Sequence, residues 1–264
     1  RFSPKKITAP ASLFICHSIM NKKHPKAYYW PQWFYDSLGK NSKTDLKQII
    51  ELKKANENIW EALNIYDDIV DGDSGPESLM EANHYYRAYL SFYYSLNLQS
   101  NFYQSFESLQ SEYEKTDYLE KLETEKTLLN LNNQLLAQRL SKKSLPLLTF
   151  LPAVCLLSGY AWPKALEAIK LGRHLLASKQ LADDIYDLDE DAAARRTTLA
   201  TAIANSKKDV LDKKNIYQEL ADRLNSLISD TKKLASNFGL QTDCPLLKGI
   251  IGPLEENAMI KIKP

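Results

Sequence analysis

Two short acidic runs in the sequence carry the side chains that could do chemistry. The first motif reads DDIVD and the second reads DDIYDLDED, so both open with the same D-D-x-x-D order. Residues four apart stack along one face of an α-helix. The second motif therefore predicts a ridge of three carboxylates at positions 183, 187 and 191, with a fourth at 184 beside it. The aspartates are Asp67, Asp68 and Asp71 in the first motif and Asp183, Asp184, Asp187 and Asp191 in the second.

Such a ridge needs a counter-charge, because like charges at this spacing destabilise a helix by a few tenths of a kcal/mol per pair. Hard divalent cations that take carboxylate oxygens and keep some water, above all Mg²⁺, would supply it. A solvated acidic surface is the alternative for one run taken alone. Two runs in the same order are much harder to explain in that way. Two acidic helix faces across a cavity would hold the Mg²⁺ cluster that a diphosphate leaving group requires.

The two motifs resemble those of the class I isoprenoid synthases, especially the trans-prenyltransferase, or polyprenyl synthetase, branch. The segment DDIVDGD is similar to the first aspartate motif of that branch, and KQLADDIYD is similar to the second, including its glutamine. The resemblance covers roughly residues 52–203 and is specific at the two motifs. It implies an all-α, isoprenoid-synthase-type helical bundle over residues 1–264, a single domain with a central cavity and both motifs at its mouth.

The resemblance also assigns roles to individual side chains. The catalytic carboxylates would be those of both D-D-x-x-D motifs, and a basic or amide group would contact the substrate diphosphate from four further positions. An ordinary basic helix start, or arginines that only neutralise the acidic ridge, are the structural alternatives for the basic positions. The Mg²⁺ ions, three in the family, would be held by Asp67, Asp71, Asp183, Asp187 and Asp191, with Asp68 and Asp184 in support. The diphosphate contacts would be Lys143, Gln180, Arg195 and Arg196.

Two features depart from the prenyltransferase pattern. The segment GDSGPESL after the first motif lacks a basic residue where the family has an arginine pair. Near the start, Lys5, Lys6 and Pro10 match only part of the loop that binds isopentenyl diphosphate. Transfer of the prenyl group of an allylic diphosphate to isopentenyl diphosphate is still favoured, because the two motifs are most similar in sequence to those of the prenyltransferases. The alternatives are a terpene synthase, a head-to-head condensation of the squalene or phytoene type, indicated by EDAAARR, and a non-catalytic helical subunit.

Composition limits the remaining classes of function. The chain has 264 residues and only 8 Gly, which favours helix and a sizeable core. A net charge of +1 gives no indication of a nucleic-acid partner. Three cysteines without paired spacing favour free thiols in a reducing compartment. No apolar run reaches the length of a membrane span. We therefore expect a cytoplasmic protein, and the resemblance implies a homodimer; the first residue is Arg1 rather than Met, so an upstream segment could be missing.

Apolar periodicity predicts the helices that position these residues. A helix over 44–70 would deliver the first motif at its C-terminal end, and a helix over 79–94 would have a tyrosine-rich buried face. A long helix is predicted over 101–140. The apolar run that follows Lys143 predicts a buried helix, in which Pro152 allows a kink. A further helix over 163–182 leads into the second motif, and residues 239–253 are predicted to be a loop-like tail.

Overall fold

The computed structural model describes residues 26–39, 45–115, 129, 131–194, 196–207 and 213–261, with side chains up to residue 255. Within these ranges the chain forms eleven α-helices and no strand, which confirms the all-α prediction. Two 3₁₀ segments, Pro76–Ser78 and Lys142–Leu148, connect helices. The helices are α1 (Lys26–Ser37), α2 (Leu46–Asp71), α3 (Leu79–Ser95), α4 (Ser100–Glu114), α5 (Asn133–Leu140), α6 (Phe150–Leu157), α7 (Trp162–Tyr186), α8 (Leu188–Ala194), α9 (Leu199–Lys207), α10 (Lys213–Phe238) and α11 (Pro245–Lys261).

Helix α7 lies at the centre and contacts helices α5, α6, α9, α10 and α11. The close packing depends on Gly172, because a Cβ there would lie 2.4 Å from Leu151 Cδ1 and 2.7 Å from Leu148 Cδ2. Glycine inside a helix costs roughly 1 kcal/mol relative to alanine. That cost is offset here by the approach of two buried leucines. The 3₁₀ segment Lys142–Leu148 consequently packs against the helix that leads into the second motif.

Helices α2 and α3 form an antiparallel pair joined by a tight turn. Helix α2 begins at a cap, where the Asp45 side chain accepts a hydrogen bond from the Lys47 backbone N–H. It ends at Gly72, whose φ of 81° is the left-handed conformation that favours glycine. The backbone N–H groups of Asp73 and Ser74 then donate to the Asp68 carbonyl at 2.8 and 3.0 Å. The first motif is therefore the last turn of α2, as predicted.

The tyrosine-rich face of α3 packs into the core against α4. Tyr89 and Tyr93 are completely buried, and their rings lie within 6 Å of Phe106. The Tyr89 hydroxyl donates to the Pro146 carbonyl at 2.9 Å and accepts from Gln110 Nε2 at 2.8 Å. These bonds tie α3 and α4 to the 3₁₀ segment Lys142–Leu148. The prediction of a buried tyrosine face is confirmed.

Three predicted elements differ from the structure. The long helix over 101–140 is interrupted, since α5 starts afresh after Asn132, whose side chain caps the Leu135 N–H at 2.9 Å; residues 116–128 lie outside the described ranges. The backbone breaks at Ser144 (φ −130°, ψ 17°) and not at Pro152. Pro152 lies in the first turn of α6, where its missing N–H has no intrahelical partner to lose.

The third difference is the tail, which forms helix α11 instead of a loop. Proline is well suited to the first helical position, where Pro245 stands. Buried apolar side chains recur along the helix at positions one, four and five apart, and this period is typical of a buried helix face. The two glycines and two prolines within Pro245–Lys261 do not interrupt the helix. The buried residues are Leu246, Leu247, Ile250, Ile251 and Leu254.

In the described part of the chain, no helix is by itself both long and apolar enough to cross a bilayer. Helix α5 and the following Lys142–Leu157 reach the required length and composition only as a pair bent by 78°. The cytoplasmic location, the homodimer and the single domain stay predictions.

Candidate functional site

The first motif lies where the negative end of a helix meets solvent. Asp67, Asp68 and Asp71 occupy the last turn of α2, and that turn contains no basic residue. Because the C-terminal end of a helix carries a partial negative charge, a cation near these carboxylates is favourable. Partial desolvation raises the pKa of Asp67, while Lys143 and Arg196 lower it and the neighbouring Asp71 raises it further. The first motif is therefore an accessible acidic cluster that favours positive charge.

The second motif is split by a kink. Helix α7 ends at Tyr186, Asp187 adopts φ −93° and ψ 6°, and α8 begins at the next residue. Backbone hydrogen bonds continue across the kink, from Asp187 N to Asp183 O at 2.9 Å and from Asp191 N to Asp187 O at 2.8 Å. The helix is thus interrupted at Asp187 while its four-residue hydrogen-bond spacing continues, and the ridge of three carboxylates stays a prediction. No proline or glycine marks the position, so the sequence carried no signal for the kink.

The aspartates of the second motif have different surroundings. Asp184 and Asp191 are buried, each with 5% of its surface exposed, whereas Asp183 is half-buried and pairs with Lys179. Burial raises the pKa of Asp184 to about 7, although a hydrogen bond from Gln180 and the charge of Lys143 lower it. Gln180 Nε2 donates to Asp184 Oδ1 at 2.8 Å. The glutamine thus supports a motif carboxylate, and its predicted contact with diphosphate stays a prediction.

Arg196 connects the two motifs. Its Nη2 lies 3.3 Å from Asp71 Oδ2, and its Nη1 lies 3.5 Å from Asp191 Oδ1. Lys143 acts on the same place, since its charge lowers the pKa of Asp67, Asp184 and Asp191. It lies on the 3₁₀ segment that contacts both α2 and α7. Carboxylates distant in sequence are thus brought to one location around two cations.

The predicted site residues are placed as follows. Lys143 and Arg196 lie among the motif carboxylates, whereas Arg195 lies outside the described residues. Lys179 was missed by the sequence analysis. It pairs with Asp183 and its Nζ lies 5.7 Å from the centre of the Trp60 ring on α2. The four-residue spacing from Lys179 to Asp183 is the signal that could have identified the pair.

The donor set suits a hard cation, but its side chains are not gathered around one point. Among the described residues, no three Asp, Glu, His or Cys side chains lie close enough together to hold a metal ion. Carboxylate oxygens are the ligands that Mg²⁺ prefers. Two of these carboxylates, Asp71 and Asp191, are instead directed at Arg196. The residues therefore fit Mg²⁺ by their chemistry, provided that the arginine leaves its place between them.

A separate cleft of about 350 Å³ lies away from the motifs. It is bounded by the end of α1 and by the turn that joins α10 to α11, with Asp36, Gly39, Gly239, Asp243 and Cys244 among its lining residues. Neither motif contributes a side chain to it. The central cavity predicted for the bundle stays a prediction.

No family model matches the chain, and no curated protein matches it. Functional assignment consequently depends on the two motifs and on the geometry that surrounds them.

Proposed function

We propose that the chain is a class I isoprenoid synthase that ionises an allylic prenyl diphosphate with Mg²⁺ and transfers the prenyl group to isopentenyl diphosphate. The observation that carries the proposal is the convergence of the two aspartate motifs, with Arg196 within 3.3 Å of Asp71 and 3.5 Å of Asp191. Chance acidic runs on a helical protein have no reason to meet. A site for a cationic metal cluster gives such a reason.

Metal binding is assigned to Asp67, Asp71, Asp183, Asp187 and Asp191, with Asp68 and Asp184 in support. The ions would neutralise the leaving diphosphate and so weaken its bond to the allylic carbon. Lys143 and Arg196 would donate hydrogen bonds to the diphosphate oxygens. A guanidinium can do so with two parallel N–H groups, which suits this role.

The side chains next to Lys143 would protect the reacting carbon from water. Leu145, Leu147 and Leu148 follow it directly on the 3₁₀ segment, and all three are buried. The basic group therefore stands at the boundary between the acidic cluster and the apolar core. An allylic cation formed at this boundary would have its diphosphate on the polar side and hydrocarbon on the other, which limits capture by water.

A terpene synthase, which converts the allylic diphosphate without a second diphosphate, is the second candidate. It is favoured by the turn after the first motif, since residues 72–78 contain no basic side chain. In addition, Lys179 and Arg196 already pair with motif carboxylates. A second diphosphate would need cations beyond these two.

Product analysis tests both candidates. Purified protein with Mg²⁺ is incubated with geranyl, farnesyl or geranylgeranyl diphosphate, each with and without isopentenyl diphosphate. A longer diphosphate formed only with isopentenyl diphosphate supports elongation, whereas a hydrocarbon or alcohol from the allylic substrate alone supports a terpene synthase. Asp67→Ala and Asp183→Ala should abolish either product. Equal products from these variants, or none from the wild type, would contradict the proposal and favour a non-catalytic subunit.

A further inference from the structure

Arg196 occupies a position between the two motifs where a cation is favoured. Its guanidinium is shared by Asp71 at the end of α2 and Asp191 on α8. The side chain of Asp71 is 34% exposed and that of Asp191 is 7% exposed, so the arginine joins an accessible carboxylate to a buried one. The arginine thus performs part of the charge neutralisation that a metal ion would perform.

The two contacts of the Arg196 guanidinium with Asp71 and Asp191 are long, so a metal ion can replace them. Charge-assisted hydrogen bonds between nitrogen and carboxylate oxygen are usually about 2.7–2.9 Å long, whereas those of Arg196 measure 3.3 and 3.5 Å. Its side chain is 42% exposed, and such pairs are weakened by water and salt. A divalent ion with the same carboxylates would therefore displace the guanidinium readily.

The backbone of Arg196 is held from both sides while its side chain reaches outward. Its N–H donates to the Asp191 carbonyl at 2.8 Å, and its own carbonyl accepts a hydrogen bond from the Thr201 hydroxyl at 2.9 Å. Thr201 is buried at the start of α9. Rotation of the side chain alone can therefore release the two carboxylates, with no change of the main chain.

From this geometry we infer that Arg196 is an internal counter-ion of the metal-free protein. The metal ion displaces the guanidinium from the two carboxylates, and the guanidinium then binds the diphosphate. The inference depends on the proposed function for the identity of the ligands. It has a consequence that a simple diphosphate-binding role lacks. Arg196 competes with the metal when diphosphate is absent, and it assists metal binding when diphosphate is present.

Metal-binding measurements on Arg196→Gln test whether Arg196 changes from competing with the metal to assisting it when diphosphate is added. They require no turnover. Binding of Mn²⁺ is followed by electron paramagnetic resonance at pH 8, and binding of Mg²⁺ by calorimetry, each with and without inorganic pyrophosphate. Lys213→Gln is the matched control, because it removes the same charge from an exposed pair at 2.8 Å with Asp189, also on α8. Melting curves establish that both variants are folded.

Without pyrophosphate, Arg196→Gln should bind the metal about threefold to tenfold more tightly than the wild type, as the loss of two partly exposed ion pairs allows. Lys213→Gln should stay within about twofold of the wild type. With pyrophosphate the order should reverse, and Arg196→Gln should bind metal and pyrophosphate about tenfold more weakly.

Three results would overturn the inference, and they are distinguishable. If the wild type binds metal and pyrophosphate but Arg196→Gln gains no affinity for the metal alone, the counter-ion role is wrong and the proposed function stands. If no protein binds metal under either condition, both are wrong. A gain shared equally by Lys213→Gln would reduce the effect to net charge and likewise overturn the role of Arg196.

Discussion

The two aspartate motifs share their first letters but occupy different environments. In the first motif, Asp68 is exposed and the backbone turn is closed by Gly72. In the second motif, Asp184 at the equivalent place is buried and receives a hydrogen bond from Gln180. One pattern of residues is therefore stabilised by solvent at the end of α2 and by protein groups around the kink after α7.

This difference predicts that the two motifs have different roles in the proposed site. The accessible carboxylates of the first motif can exchange partners at little cost, because water replaces what they lose. A buried carboxylate must keep its hydrogen bonds and its counter-charge, since an unpaired buried charge is expensive. We expect substitutions in the first motif to affect mainly turnover, and substitutions in the second to affect both turnover and stability.

The largest expected effect is on turnover and should be common to both motifs. Asp71→Asn and Asp191→Asn each remove a carboxylate that contacts Arg196, and each should lower pyrophosphate release by at least about 10²-fold. Asp189→Asn is the control, because Asp189 is exposed and pairs with Lys213 on α10. If either motif variant kept more than about a tenth of the wild-type rate, the two motifs would not act as halves of one site.

The next effect is a difference between the two motifs in how stability depends on pH. Burial raises the pKa of Asp184 from 3.8 to about 7 in the folded protein. The folded state therefore binds this proton more tightly than the unfolded state does, and stability falls as pH rises from about 4 to 7. In urea unfolding with EDTA at pH 8.5, the free energy of unfolding of Asp184→Asn should exceed that of the wild type by about one to a few kcal/mol. At pH 5 this difference should be smaller.

Asp68→Asn is the control for this pH dependence, since it makes the same change at the exposed equivalent position. Its free energy of unfolding should stay within about 0.5 kcal/mol of the wild type at both pH values. If the two variants changed the free energy of unfolding equally at both pH values, burial would not distinguish the motifs.

A smaller effect is expected at the group that supports Asp184. Gln180→Ala removes a hydrogen bond of 2.8 Å to a buried carboxylate. It should destabilise the protein by about 1–2 kcal/mol at pH 8. The matched control is Gln218→Ala, which removes a bond of 2.9 Å in the same four-residue spacing, from Gln218 to Asp222 on the exposed side of α10. A loss at Gln218 as large as that at Gln180 would contradict the assigned role of burial.

The smallest effect concerns the turn that ends the first motif. Gly72→Ala should cost about 1 kcal/mol, because φ is 81° there and a side chain is strained in that conformation even though the space around it is open. Gly252→Ala in α11 is the control and should stabilise the protein instead. Alanine favours a helix more than glycine does, and nothing lies within 4 Å of a Cβ added at position 252. Thermal melting of both variants checks the contrast.

Much of the helical fold could be predicted from the sequence. The period of Ile49, Leu52, Ile59 and Leu63 predicted α2, and all four side chains are buried in the structure. The apolar run after Lys143 was predicted to be buried, and it is. Helix α11 was missed although its apolar period is regular. Local propensities and periodicity determine such elements, because they depend on neighbours a few residues away.

The sequence by itself determined the acidic pattern, the all-α class and the position of the first motif at a helix end. Only the tertiary structure decided which aspartates are buried, and it brought Arg196 between Asp71 and Asp191. The kink at Asp187 was equally invisible, since no glycine or proline marks it. The physical reason is that burial, and the pKa of each carboxylate with it, depends on contacts between segments far apart in the chain.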